Sequence, residues 1–245
     1  MLPTDLRQAE NQAVDALESA LAANDRGRWQ VELRFEGLRL LPVALRLAES
    51  LQRRGRRLRL LFADAGATAL ARRDSGEGGL SNCIASFSDQ RIRQDAPVTP
   101  ADAGADCPAP AAPEPLLLLV GAAPSDYEAV EGLCTSHAGA VVLLNPTLED
   151  AAVGIGSVAR ARRKGFLAQW QTAYALRPFA DSALRRAHPG EWELYRLDRD
   201  GFRLAARFPE KPTAEEQAAA LGDASAGGLA RQLSDLGDLL EDLRR

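Results

Sequence analysis

Five residues stand where an open α/β sheet would gather its ligand-binding loops: Asp64, Gly66, Gly121, Ser125 and Asn145. Each follows an apolar run that reads as a strand, and such sheets bind ligands outside the carboxyl ends of their strands. A nucleotide or sugar phosphate is the class of ligand these groups would take. None of the loops matches GxGxxG or GxxxxGK[ST], so neither a dinucleotide nor a P-loop signature is present. The plain structural reading of the same residues makes Gly66 and Gly121 turn glycines and Asp64 and Ser125 helix caps.

A second candidate is Gly154-Ile155-Gly156-Ser157-Val158-Ala159-Arg160, with Arg162 and Arg163 behind it. A glycine turn entering a helix aims backbone N–H groups outward, and guanidinium groups beside it would favour phosphate or carboxylate. The alternative is a solvated basic helix. Arg53, Arg54, Arg56, Arg57 and Arg59 form a denser run. Without interleaved aromatics it does not suit single-stranded nucleic acid, and it reads as a dipole complement at a helix end. No Ser, His and Asp fall into a known nucleophilic motif, and His137 and His188 are isolated. Cys83, Cys107 and Cys134 form no CxxC pattern, so no metal site, cofactor or disulfide framework is indicated.

The elements that must position these groups follow from periodicity. A helix over Leu6–Asn24, capped by Thr4, precedes a half-buried strand in which Trp29, Val31, Leu33 and Phe35 alternate with polar residues. A helix over Leu40–Arg54 ends at Gly55, a strand runs Leu58–Ala63, and a short helix covers Ala67–Arg73. Strand, helix, strand, helix with short connections is the pattern of a parallel sheet with crossover helices. A weak strand at Cys83–Phe87 gives way to a Pro/Ala-rich insertion at about 90–114. From Ala96 to Pro115 it is too poor in large apolar side chains to offset its ordering entropy, so it reads as a flexible loop. The apolar run Leu116–Val120 suits a central strand buried on both faces. A helix from Pro124 or Ser125 to Ser136 and a strand at Ala140–Leu144 complete a second βαβ unit.

The remainder reads as antiparallel: a strand at Phe166–Leu176 and a hairpin of Trp192–Leu197 and Phe202–Phe208 around Arg199-Asp200-Gly201. Thr213 and Glu216 form a capping-box pattern that opens a short helix. Beyond a Gly-rich tether, Leu229, Leu233, Leu236, Leu240 and Leu243 recur at spacings of four, three, four and three. That a/d seam is a surface for docking, on a partner or on the protein's own domain. The expected fold is therefore α/β, an open and mostly parallel, Rossmann-like sheet with helices on both faces, extended by antiparallel C-terminal strands. One domain is expected over 1–221, with the tether and amphipathic helix at 222–245.

Composition bounds the partners. A net charge of −4 offers no field to hold nucleic acid. The longest strongly apolar run is far below the roughly 20 residues that span a bilayer. The amino-terminal residues carry no secretory or transit pattern, which predicts a cytoplasmic protein. Only Lys164 and Lys211 are lysines, so nearly all positive charge is guanidinium.

Several phrases resemble a family of cyanobacteria and chloroplasts defined only as a domain of unknown function. They are Leu2-Pro3, Val31-Glu32-Leu33, Leu61-Phe62-Ala63-Asp64-Ala65-Gly66-Ala67-Thr68-Ala69-Leu70-Ala71-Arg72-Arg73, Leu144-Asn145-Pro146, the Gly154/Gly156/Arg160 cluster, Tyr174-Ala175-Leu176-Arg177-Pro178 and Pro189-Gly190-Glu191-Trp192. Plant relatives in that family include the low-photosystem-II-accumulation assembly factor, and the same domain is fused behind a chloroplast adenylate kinase. The resemblance implies a non-catalytic binding or assembly role near photosynthetic membranes. It also implies a protein partner in a photosystem or in membrane insertion, and contact with the thylakoid from its periphery. It supplies no catalytic residues.

Overall fold

The computed structural model describes residues 1–76, 79–95, 114–149, 162 and 164–222. The segment with Gly154, Gly156, Arg160 and Arg163, the residue Cys107, most of the Pro/Ala-rich stretch and the leucine seam from Leu229 to Leu243 lie outside the described residues.

Nine strands form one sheet in the order β3-β2-β4-β5-β1-β6-β7-β8-β9. They are β1 (Arg28–Leu33), β2 (Leu58–Phe62), β3 (Ile84–Ser86), β4 (Leu116–Val120), β5 (Val141–Leu144), β6 (Gln171–Pro178), β7 (Ser182–Ala187), β8 (Trp192–Asp198) and β9 (Gly201–Phe208). The first six pair in parallel, and β6 to β9 form an antiparallel wing. This is the expected α/β architecture. Helices α1 (Leu6–Ala23), α2 (Leu40–Arg53) and α3 (Ala65–Asp74) cover one face, whose core runs from Ala9 and Leu17 through Val31, Leu60 and Leu118 to Tyr174. Helices α4 (Phe87–Asp95) and α5 (Tyr127–Ser136) lie on the other, where Phe87, Val130 and Leu133 meet Leu117, Leu119 and Leu143. A last helix, α6, spans 214–222.

The chain leaves β1 towards the β3 edge across the first face and returns from β3 to β6 across the second. Crossovers of one hand that run in opposite directions must use opposite faces. The middle of β4 is the deepest point. Leu117, Leu118 and Leu119 are fully buried, with alternate side chains in the two cores, and each contributes roughly 1.5–3 kcal/mol by its removal from water.

Local sequence explains most boundaries, and the exceptions have physical causes. Asp5, not Thr4, caps α1 by accepting from the Gln8 N–H at 2.8 Å, because the Thr4 hydroxyl is engaged by the Gln8 side chain. Asp126, not Ser125, supports the entry to α5: its carboxylate accepts from the Ala123 N–H at 2.8 Å across a 3-10 turn. Helix α4 occupies the start of the segment expected to be an insertion. The strand expected from Phe166 begins at Gln171. Phe166–Gln169 is a 3-10 turn, whose Phe166 packs edge-on against Tyr127 and Trp170 at 5.7 and 5.6 Å. That strand, β6, pairs in parallel with β1 as well as antiparallel with β7, because the chain crosses over β1 after β5 and arrives in the direction of the other parallel strands. The strand β7 carries no apolar alternation. Its arginines point to opposite faces, Arg185 to Glu193 at 2.7 Å and Arg186 over the Trp192 ring. At α6 the capping box forms as expected, with Thr213 and Glu216 each accepting from the other's backbone N–H.

Candidate functional site

The carboxyl rim of the parallel strands is where the sequence places its first candidates. Phe62 is level with Val120, Val120 with Leu144, and Leu144 with Val31. The residues that follow, including Asp64, Gly121 and Asn145, therefore emerge along one rim. The loops after β2 and β4 diverge to opposite faces, which makes the crevice between these strands a topological switch point.

Asp64 and Asn145, on this rim, both hydrogen-bond the backbone. Asp64 caps α3: its carboxylate accepts from the Ala67 N–H at 2.8 Å, and its carbonyl accepts from the Thr68 hydroxyl at 2.7 Å. A side chain at Gly66 would come within 3.1 Å of that carboxylate. Gly121 has φ +63°, a left-handed turn in which the backbone passes under Leu40. Ser125 is exposed in the 3-10 turn. Asn145 has φ 51°, a region that asparagine tolerates better than most side chains. Its Oδ1 accepts from the Leu33 N–H at 2.6 Å, and its Nδ2 donates to the Leu33 carbonyl at 2.7 Å. The Arg34 guanidinium donates to the Pro146 carbonyl, and the Thr147 N–H donates to the Ala122 carbonyl at 2.8 Å. The loops after β1, β4 and β5 are thereby joined to one another.

The same rim opens into a groove beside β1. Residues 34–39 leave β1, turn at Gly37 (φ +69°) and enter α2, while the first residues of the chain enter α1 alongside. Between them lies a cavity of 560 Å³ with Pro3, Leu6, Phe35, Leu38 and Pro42 in its walls. Leu6, Phe35 and Leu38 also pack against the main core, so the groove floor is continuous with the interior. Helix α2 starts from Arg39 without a side-chain cap, and Glu36 and Arg39 are exposed at the mouth. Arg46, at the back, holds the buried Glu10 in a two-pronged ion pair, with one bond at 2.8 Å. The hydrogen bond that Arg46 donates to Glu10 raises the Arg46 pKa against the opposing effect of burial. The groove is an apolar slot with a small charged margin, the shape of a binding surface more than of a reaction centre.

The remaining sequence candidates lie elsewhere. The arginine run faces the acidic side of α1, where Arg54 meets Asp15 at 2.6 Å and Arg56 clasps Glu18 at 2.7 Å. His137 is buried at the opposite end of the sheet, with Nδ1 2.6 Å from Glu114. Burial lowers its pKa, against the pull of Glu114. His188 stacks edge-on against Trp29 at 5.3 Å, and burial and Arg186 lower its pKa too. The Cys134 thiol is pushed up to about 12 by burial. Among the described residues no group of three His, Cys, Asp or Glu side chains could hold a metal ion. No helix among them is long and apolar enough to cross a membrane.

The model of one protein family, described as a domain of unknown function (DUF1995), matches residues 3–219. The chain belongs to the DUF1995 family. The match spans the parallel sheet, the antiparallel wing and most of α6, so the rim and the groove are both inside the DUF1995 domain. No curated protein matches the sequence.

Sequence reasoning missed the groove. Its signal was present in Phe35 and Leu38, two large apolar residues in a loop that also contains Glu36, Gly37 and Arg39. Apolar side chains in such a polar loop either seal a core or line an opening to it.

Proposed function

We propose that this DUF1995 protein is a non-catalytic binding factor that holds an apolar segment of a partner protein, and that it assists the assembly of a photosystem subunit. The observation that carries the binding role is the contrast on one rim. Asp64 and Asn145, the groups able to do chemistry, are bonded to backbone, while the groove beside β1 presents apolar walls. A partner segment would bring aliphatic or aromatic side chains into the slot and an acidic or carbonyl group to Arg39. The photosystem assignment rests on the sequence resemblance, which also supports a place at the periphery of thylakoids, and a cytoplasmic location is part of the same proposal. An enzyme or regulatory module for a phosphorylated metabolite would need the polar atoms that Asp64 and Asn145 spend on the backbone.

The test is capture from an extract of photosynthetic cells by the tagged full-length chain, with bound proteins identified by mass spectrometry. A photosystem or membrane-insertion component is expected with the wild type and is lost with Leu38→Asp, with an unfolding curve of the variant showing that this half-buried position tolerates the change. Absence of any such component, or equal capture by both proteins, overturns the proposal. A thermal-shift screen with nucleotides and phosphates adds a second arm, in which stabilisation by one of them favours the metabolite reading.

A further inference from the structure

Among the described residues, helices cover the first face of the sheet only part of the way. Helices α3, α2 and α1 lie side by side, and α1 reaches β6 and the edge of β7. Gln12 of α1 accepts from Arg185 and from the Tyr174 hydroxyl, both at 3.2 Å. Beyond it, the same face of β8 and β9 carries Tyr195, Leu197, Phe202 and Leu204. Tyr195 pairs across the ladder with Leu204, and Leu197 with Phe202. Leu197, Phe202 and Leu204 are 45%, 44% and 43% exposed, high for large apolar side chains set together on a sheet. The opposite face of this wing is closed, because Ala220 and Leu221 of α6 pack with Phe208 against Trp192, Leu184 and Leu194.

We infer that the apolar face of β8 and β9 is the docking site of the chain's own last segment, residues 229–243. Three observations select this occupant. The segment departs from the right place, since the described part of α6 runs to residue 222 against the same wing. Fully extended, the six residues 223–228 could span about 20 Å, enough to round the edge strand and reach the other side of a sheet whose packed layers are roughly 10 Å apart.

Its length fits as well. As a helix, residues 229–243 would run about 22 Å, close to the roughly 23 Å of β8. The seam of Leu229, Leu233, Leu236, Leu240 and Leu243 would lie on one side of that helix and supply apolar surface for Leu197, Phe202 and Leu204. Charge agrees too. Asp235, Asp238, Glu241 and Asp242 flank the seam, and Arg207, whose side chain is 58% exposed on this face, meets Glu193 at a long 3.7 Å. The leucine seam would then complete the helical layer that α3, α2 and α1 begin.

Hydrogen exchange of the full-length chain, read by mass spectrometry, tests the assignment. A lone helix of this length is marginal in water, so slowed exchange reports docking. In the wild type the amides of 229–243 are expected to exchange about tenfold or more below the unstructured rate. Leu204→Asp and, separately, Leu236→Asp are expected to abolish that protection while β4 and β5 keep theirs. Phe202→Ser replaces Leu204→Asp should that variant cost β4 and β5 their protection. Unprotected tail amides in the wild type overturn the inference. So does protection that survives both wing variants, or protection that rises with protein concentration as the chain dimerises, which would make a second copy the occupant. Capture of a partner in the groove is a separate readout, so either result can fail without the other.

Discussion

Substitution of Asn145 is the most direct test of how the rim is built. β5 stops at Leu144, level with Val31 and two residues short of Leu33 on its neighbour β1, and the Asn145 amide supplies the missing rung by accepting from the Leu33 N–H and donating to its carbonyl. Leu33 is 1% exposed, which leaves little room for water to take over. In Asn145→Ala both bonds vanish, for about 1 kcal/mol each with a further penalty for buried groups left unpaired. Alanine at φ 51° adds about 1 kcal/mol of left-handed strain. The sum is a loss of about 3–4 kcal/mol. Asn145→Gly removes the strain but not the lost bonds, and so costs about 1 kcal/mol less. Asn145→Asp keeps an acceptor for the Leu33 N–H but turns a carboxylate oxygen against the Leu33 carbonyl, and it is expected to be at least as damaging as alanine. Urea unfolding at unchanged slope gives the three values directly. In a chain of this size the alanine variant should also melt about 6–16 °C lower. If Asn145→Ala lies within about 1 kcal/mol of the wild type, or if aspartate is tolerated, the amide is not a rung of the ladder. It would then be free for a ligand, and the division of the rim into structural amide and binding groove would fall.

Two further outcomes follow from buried charge. Glu32 is 2% exposed and forms an ion pair with Arg177 across β1 and β6. Glu32→Leu should cost about 3–5 kcal/mol by stranding the guanidinium, while Glu32→Leu with Arg177→Met should recover most of that loss, as equilibrium unfolding of the single and double variants will show. His137 and His188 both have folded pKa values below the ordinary 6.5. The unfolded chain therefore binds more protons on acidification, so the stability these groups provide is complete above pH 6.5 and falls away as the pH drops through their lowered folded values. Unfolding free energy measured between pH 7 and pH 5 should decline on the acid side, and His137→Gln with His188→Gln should flatten that decline.

The sheet was legible in the sequence because its central strands are nearly pure in character. Leu116–Val120 and Val141–Leu144 are unbroken apolar runs, and only a strand buried on both faces accepts such a run. The direction of β6 was not legible. Gln171–Pro178 has the composition of either kind of strand, and its parallel pairing with β1 is decided by a crossover, not by any residue within it. Strand β7 hid for another reason: Arg185 and Arg186 are held by Glu193 and Trp192 across the ladder, partners that no local pattern reveals. The rim shows the same limit. Asp64 was recognisable as a cap because Ala67 is three residues away, whereas the partner of Asn145 is 112 residues distant in sequence. A side chain's donors and acceptors are spent locally or at long range, and only the local expense can be read from a sequence.

Connectivity also accounts for where the groove opens. The chain must travel from β1 over β5 and β4 to reach β2, so α2 lies aslant from the strand that precedes it, and the loop at 34–39 bridges the offset. Helix α1 precedes β1 and packs on β6, on the other side of that strand. The two helices meet along their middles, through pairs such as Arg46 with Glu10, and their amino ends stand to either side of the β1 loop. Any side chain in that loop faces either the core beneath or the gap between the two ends. Phe35 and Leu38 do both, half-buried against the core and lining the gap. On this rim the slot is thus a consequence of strand order, and its apolar lining is the part that sequence was free to choose. The half-buried aromatic and aliphatic side chains at 35 and 38, which line the gap, are the observation on which the proposed partner site rests.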